Sequence, residues 1–256
     1  MKKTIVYSII NQKGGVGKST TAQALAAGLS RKGKKVLVVD LDPQGNTTTT
    51  LGGKKDRVNA LSLLLEEADP EESIQKIDCG DLIASTKALA SADTLLTETG
   101  KEYKLKEALE PIKGKYDFVL IDTPPALGIL TINALVVSDR AIIPAQADVY
   151  SLEGIADIAG TIKTVKKYCN SALTVEGILL TRYTARGGFN EECEDLAREM
   201  AASMNTKVFD THIRENIAVK KAQAAKKNIF DYDAKSTAAA SYAELIEEIL
   251  KPHGKK

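Results

Sequence analysis

The sequence predicts an α/β protein with a mostly parallel, twisted sheet flanked by helices, and three observations lead there. Apolar runs rich in β-branched residues recur at 5–10, 36–39, 118–121, 141–143 and 175–181, separated by longer helix-prone stretches. That alternation is the rhythm of parallel strands joined by crossover helices. A glycine-rich segment at 13–19 joins the first run to the helix-prone residues 20–29, and acids follow two other runs, at Asp40 and Asp122. The 256 residues could form one α/β domain or two small ones, either able to bury a full core. No linker or repeat divides the chain, and the candidate site residues spread from Lys13 to Asn216, so a single domain over 1–256 is expected.

The first run enters Lys13-Gly14-Gly15-Val16-Gly17-Lys18-Ser19, where glycines let the backbone turn tightly and aim N–H groups at an anion. A helix beginning near Lys18 adds the positive end of its dipole. The segment therefore reads as a cradle for nucleotide phosphates, with Lys18 neutralising the β- and γ-phosphates and Ser19 holding magnesium. The general pattern has a glycine where Gln12 stands, and Lys13 adds a second lysine at the start of the loop. Lys18 already serves the local phosphates, so Lys13 is expected to point toward the nucleotide of a second subunit. An ATP-dependent homodimer follows.

The run 36–39 leads into Asp40-Leu41-Asp42-Pro43-Gln44-Gly45-Asn46, just past the carboxyl end of a buried strand. Ligands sit at such strand ends in open α/β sheets. A carboxylate there can orient or deprotonate an attacking water, the role expected of Asp42, whereas Asp40 reads as structural. The run 118–121 ends in Asp122-Thr123-Pro124-Pro125; Asp122 is expected to meet magnesium directly or through water, with Ser19 and Asp42 in the same metal shell. The two prolines stiffen a loop able to sense the γ-phosphate. Further on, Leu152, Ile155, Ile158, Ala159, Ile162 and Val165 make one apolar face at helical spacing, with Lys163, Lys166 and Lys167 turned elsewhere. Tyr242, Leu245, Ile246, Ile249 and Leu250 form a second such stripe, with Glu244, Glu247 and Glu248 outside it and Pro252 as a stop.

A formal net charge of +1 excludes a generally basic protein, so any nucleic-acid contact must come from a local patch. Cys79, Cys169 and Cys193 lack the paired spacing of a zinc or iron–sulfur site, and three thiols cannot all pair within one chain. A reduced, cytoplasmic setting is expected. No signal peptide is expected, and no apolar run approaches the ~20 residues of a membrane span.

The segments 13–19, 40–46 and 116–125, continuing through 127–135 and Leu152-Glu153-Gly154, make the chain similar to the ParA/Soj partition ATPases of the deviant-Walker MinD/ParA superfamily. The likeness extends through Leu180-Thr181-Arg182-Tyr183, 211–216 and Tyr232-Asp233, leaving only about 53–115 weakly patterned. It implies a deviant P-loop NTPase fold and an ATP-sandwich dimer in which Lys13 crosses to the partner's phosphates. It also implies cooperative binding to nonspecific duplex DNA, nucleoid association in the ATP state, release on hydrolysis, and stimulation by a ParB-like adaptor. The family pattern places Gly14, Gly15, Val16, Gly17, Lys18 and Ser19 at phosphate and magnesium, Thr20 on the α-phosphate side, Asp42 at the water and Asp122 at the metal. Adenine falls to Thr181, Arg182 and Asn216.

For DNA, Arg186 matches an arginine of the family loop, and Lys220, Lys221, Lys226 and Lys227 cluster before the last helix. Such groups need only share a face to give salt-sensitive binding without base reading. The sequence departs from the family where relatives read Ile-Pro-Arg-Asn, having Ile213-Arg214-Glu215-Asn216, and Ala218 and Lys221 replace a usual base and a usual acid. The alternative function is a MinD-like or scaffold ATPase that positions a protein cargo or acts at the membrane. A membrane relative should end in a basic amphipathic anchor, whereas the final helix here is acidic outside its stripe, so no membrane partner is expected. The cargo is not legible in the chain.

Overall fold

The computed structural model describes residues 4–148, 151, 154–184 and 189–251, with backbone alone at 189–191. The chain opens with β1 (Ile5–Ile9), α1 (Lys18–Arg31), β2 (Val36–Asp40), α2 (Asn46–Thr50) and α3 (Ala60–Leu64). A hairpin, β3 (Ile74–Ile77) and β4 (Gly80–Ile83), is followed by α4 (Ala92–Leu95), α5 (Lys104–Lys113), β5 (Phe118–Asp122) and α6 (Ile129–Val137). Then come β6 (Arg140–Gln146), α7 (Ile155–Tyr168), β7 (Thr174–Tyr183) and α8 (Phe189–Ser203). The chain closes with β8 (Ile213–Arg214), α9 (Ile217–Ala224), α10 (Ile229–Asp233) and α11 (Thr237–Leu250).

The strands form one sheet in the order β3-β4-β2-β5-β1-β6-β7-β8, parallel throughout except for the β3–β4 hairpin. β5 and β6, successive in sequence, flank β1 on opposite sides. The crevice above the carboxyl end of β1 is therefore the switch point of the sheet, and the loop 10–17 lies in it.

Alternation along the strands splits the core between two faces. Tyr7, Ile9, Val36, Val38, Phe118 and Leu120 pack under α1 and α11, while Val6, Leu37, Val39, Val119 and Ile121 pack against α3, α5 and α6. A third cluster joins Ile10, Ile143, Ile178 and Leu180 to Ile155, Ile158, Ile162 and Val165 of α7, as the helical spacing predicted; Leu152 lies outside the described residues. α1 is buried on nearly every side, and at Gly28 an added Cβ would lie 2.0 Å from Ile246 Cδ1, so α1 and α11 approach closely there and any side chain would have to displace Ile246.

Three strands escape the sequence reading. β3 and β4 are four residues each and carry polar side chains, and β8 is two residues long; none has the apolar run of a central strand. The stripe of α11 holds at Tyr242, Leu245, Ile246 and Ile249, with Pro252 outside the described residues. Glu248 corrects it, because this acid faces inward and is only 9 % exposed. Its carboxylate accepts from Lys207 Nζ and from the amides of Asp210 and Thr211, closing the turn before β8. Burial raises its pKa, but these donors outweigh burial and leave it below the usual value. No helix among the described residues is long and apolar enough to cross a membrane.

Candidate nucleotide-phosphate site

The loop after β1 is held from below before any ligand is considered. Asn11 donates to Pro144 O at 2.7 Å and accepts from the Lys13 amide at 2.8 Å, and Gln146 donates to Gly15 O at 3.0 Å. Gly15 and Gly17 take φ of +78° and +96°, conformations that cost an L-residue side chain, and Gly17 leads directly into α1. Lys18 is 6 % exposed, with Nζ 3.1 Å from Lys13 O. Burial lowers its pKa, while the charges of Asp122 and Asp42 work in the opposite direction.

The strand-end acids divide their work as their positions suggest. Asp40 is a brace: Oδ1 accepts from the Asp42 amide at 3.1 Å, and Oδ2 accepts from both the amide and the hydroxyl of Thr48 at 2.7 Å. Asp42, 7 % exposed, accepts from the Gln44 amide through Oδ1 at 3.0 Å and lines a cavity of about 530 Å³. Gly14, Gly15, Gly17, Lys18, Ser19 and Thr20 line the same cavity. The phosphate loop and the water-positioning candidate thus share one space.

Asp122 is fully buried behind that wall, and Thr47 donates to its Oδ2 at 2.7 Å. Its Oδ1 is buried with no hydrogen-bond partner. A hard cation seeks oxygen ligands of this kind, so the Asp122 carboxylate and the Ser19 hydroxyl fit magnesium, with Asp42 at the cavity wall. Burial first, then the charges of Asp40 and Asp42, push the Asp122 pKa up to about 8, against the Thr47 and Ser19 hydroxyls. A carboxylate with a raised native pKa contributes stability that is full below its unfolded value and lost as pH rises through the native one. The nucleotide-free protein is therefore expected to melt lower at about pH 8.5 than at about pH 5.5. Asp122→Asn keeps the Thr47 bond, so it should make that profile shallower, leaving the part due to Asp40, whose pKa burial also raises, to about 6, checked by thermal melts across the range. A wild-type profile that stays flat would contradict the burial argument.

A second cleft, about 130 Å³, adjoins the first through Gly15, Gly17, Thr20 and Gln223. It collects the residues expected around a base: Thr181, Arg182 and Asn216 all line it. Their polar atoms are partly spent. The Thr181 hydroxyl donates to Val16 O at 2.8 Å, bracing the phosphate loop and leaving its methyl edge to the cleft. Asn216 caps α9 through the Ala218 amide and donates to Thr237, and Arg182, at φ +51°, pairs with Glu215 at 3.0 Å.

Lys13 points neither into the cavity nor free into solvent, since its ammonium lies 3.0 Å from Asp148 Oδ1 of the same chain. Among the DNA candidates, Lys220, Lys221, Lys226 and Lys227 are all exposed; Lys220 also lines the base cleft and Lys226 the phosphate cavity. Arg186 lies outside the described residues. The sequence reading missed Gln23, Thr47, Thr48, Asp148 and Gln223. The signal for two of them was present in the polar run Asn46-Thr47-Thr48-Thr49-Thr50 directly after the Asp42 segment.

A parallel sheet with a glycine-turned anion loop at its switch point, facing two strand-end carboxylates, defines the P-loop class of nucleotide-binding α/β proteins. Comparison with known proteins narrows the class. A family model described as an AAA domain matches residues 3–175. The chain is 40% identical over 249 residues to the sporulation initiation inhibitor protein Soj of Bacillus subtilis, covering 95% of this chain and 97% of that one. It is 36% identical over 251 residues to the chromosome partitioning protein ParA of Myxococcus xanthus, covering 96% and 88%. Among solved structures, cobyrinic acid a,c-diamide synthase from Mycobacterium smegmatis with a bound ATP analog and magnesium superposes with a TM-score of 0.83 at 32% identity, covering 97% of this chain and 95% of that one. The chain belongs to the Soj/ParA family of chromosome-partitioning ATPases.

Proposed function

We propose that this chain is a magnesium-dependent ATPase whose ATP-bound homodimer binds nonspecific duplex DNA and is released by hydrolysis, under stimulation from a ParB-like adaptor. The observation that carries the reading is the convergence of Lys18, Ser19 and Asp42 on one cavity, with the unpartnered Asp122 oxygen behind it. In that arrangement the loop amides and Lys18 hold the phosphates, Ser19 and Asp122 hold magnesium, and Asp42 orients the water that attacks the γ-phosphate. The cation's contribution is to neutralise charge on the phosphate oxygens. Thr20 sits on the α-phosphate side, and the base lies in the adjoining cleft against Thr181, Arg182 and Asn216.

Lys13 belongs to the second subunit's nucleotide in this scheme, so closure exchanges its bond to Asp148 for one to phosphate. Lys221 and Lys227, with Arg186, are the groups assigned to DNA phosphates, and the ATP form is assigned to the nucleoid. The test is binding to nonspecific duplex DNA with ADP, with ATP, and with ATP and Asp42→Ala, across a salt series. Binding that needs ATP and weakens steeply with salt is the expected result. An ATP-bound dimer that ignores DNA would move the proposal to a nucleotide-gated scaffold for a protein cargo, a reading favoured by the place of Lys220 and Lys226 at the nucleotide clefts.

A further inference from the structure

One wall of the phosphate cavity is the carboxyl-terminal end of α9 and the turn after it, contributed by Gln223, Ala224 and Lys226. A helix end of this sense carries the partial negative charge of the helix dipole, the wrong polarity for a polyanion. It is also fixed in place: Gln223 donates to the Thr20 hydroxyl at 3.0 Å, pinning the end of α9 to the first turn of α1. The turn that closes the helix brings the Lys226 amide to Gln223 O and the Lys227 amide to Ala222 O, both at 3.0 Å. Lys226 itself adopts φ +53°, a left-handed conformation that glycine takes without strain and lysine does not. A cation thus stands where the backbone favours glycine, on the cavity wall whose polarity most needs one.

We propose that Lys226 is a phosphate ligand of its own subunit, a second cation in the cavity beside Lys18 that reverses the field of the α9 terminus. This inference rests on the nucleotide reading above. It takes Lys226 out of the DNA-binding set and gives the cavity two lining lysines, the buried Lys18 and the exposed Lys226, with Lys13 outside it, on Asp148. The Gln223–Thr20 bond makes Gln223 the residue that positions it.

The test compares Lys226→Gly, Lys226→Asn and Lys226→Arg with wild type, measuring affinity for AMPPNP with magnesium and melting temperature without nucleotide. Glycine and asparagine both tolerate the left-handed turn, so neither should unfold the protein. Lys226→Gly is expected to melt no lower than wild type, yet to bind AMPPNP about tenfold more weakly, the loss shrinking at high salt. Lys226→Asn should match that loss and Lys226→Arg should recover most of the affinity. Wild-type AMPPNP affinity in a folded Lys226→Gly protein overturns the proposal, and a loss confined to DNA binding overturns it too. Lys18→Ala separates the two levels: if it also binds AMPPNP normally, the nucleotide site itself has been misplaced.

Discussion

Asp42→Ala is expected to lower ATP turnover by about a hundredfold or more, the usual range for removing a group that positions or deprotonates the nucleophile. Nucleotide binding should survive, because the phosphate contacts are assigned to the loop 13–19 and the Asp42 side chain makes a local bond to the Gln44 amide. The fold should survive as well, since the brace on this segment is Asp40, which engages the Asp42 backbone and not its carboxylate. With closure intact and hydrolysis blocked, the variant should accumulate as an ATP dimer held on DNA. Steady-state phosphate release and DNA retention after ATP challenge check both halves. Normal turnover would strip Asp42 of its role and shift attention to Gln44 and Asn46, which line the same cavity.

The second large effect concerns Lys13. Lys13→Ala should bind ATP yet remain monomeric, weakening ATP-dependent dimerisation about a hundredfold, as expected for the loss of a close charge pair across an interface. Asp148→Asn should act in the opposite direction, because the 3.0 Å pair with Asp148 competes with any contact Lys13 makes outside its own chain. The pair is about one-third exposed on each side, with side-chain exposures of 38% and 32%, so the gain should be modest and salt-sensitive. Sedimentation with ATP and Asp42→Ala in the background reads both variants without interference from hydrolysis. A Lys13→Ala protein that dimerises normally would mean that the lysine serves its own subunit only.

The central sheet was legible because its strands are covered on both faces, and such strands announce themselves as unbroken apolar runs. β1, β2, β5, β6 and β7 all lie within a few residues of the expected bounds. The edges were not legible, because a short edge strand such as β3, Ile-Gln-Lys-Ile, takes its identity from the strand it pairs with and not from its own pattern. The same distinction runs through the site. Lys18, Ser19, Asp42 and Asp122 could be named because loop chemistry and strand-end position are local signals. Gln223, bonded to Thr20 across 203 residues of chain, could not, and the polar run that holds Thr47 gives no sign that it meets Asp122, 75 residues away. Glu248 shows the limit of periodicity: its place on α11 suggests solvent, and only the arrival of Lys207 and the 210–211 amides makes burial favourable.

The Asp40 carboxylate grips the chain at Asp42 and again at Thr48, so everything between those points forms a closed hoop. One side of the hoop carries the Asp42 carboxylate, and the other carries the Thr47 hydroxyl that touches Asp122. Neither side can shift far without dragging the other through their common anchor. The groups proposed for the water and for the metal are therefore tied to one anchor, so a shift at either is passed to the other. In the proposed cycle of binding and release, such a coupling favours a yes-or-no output over a graded one.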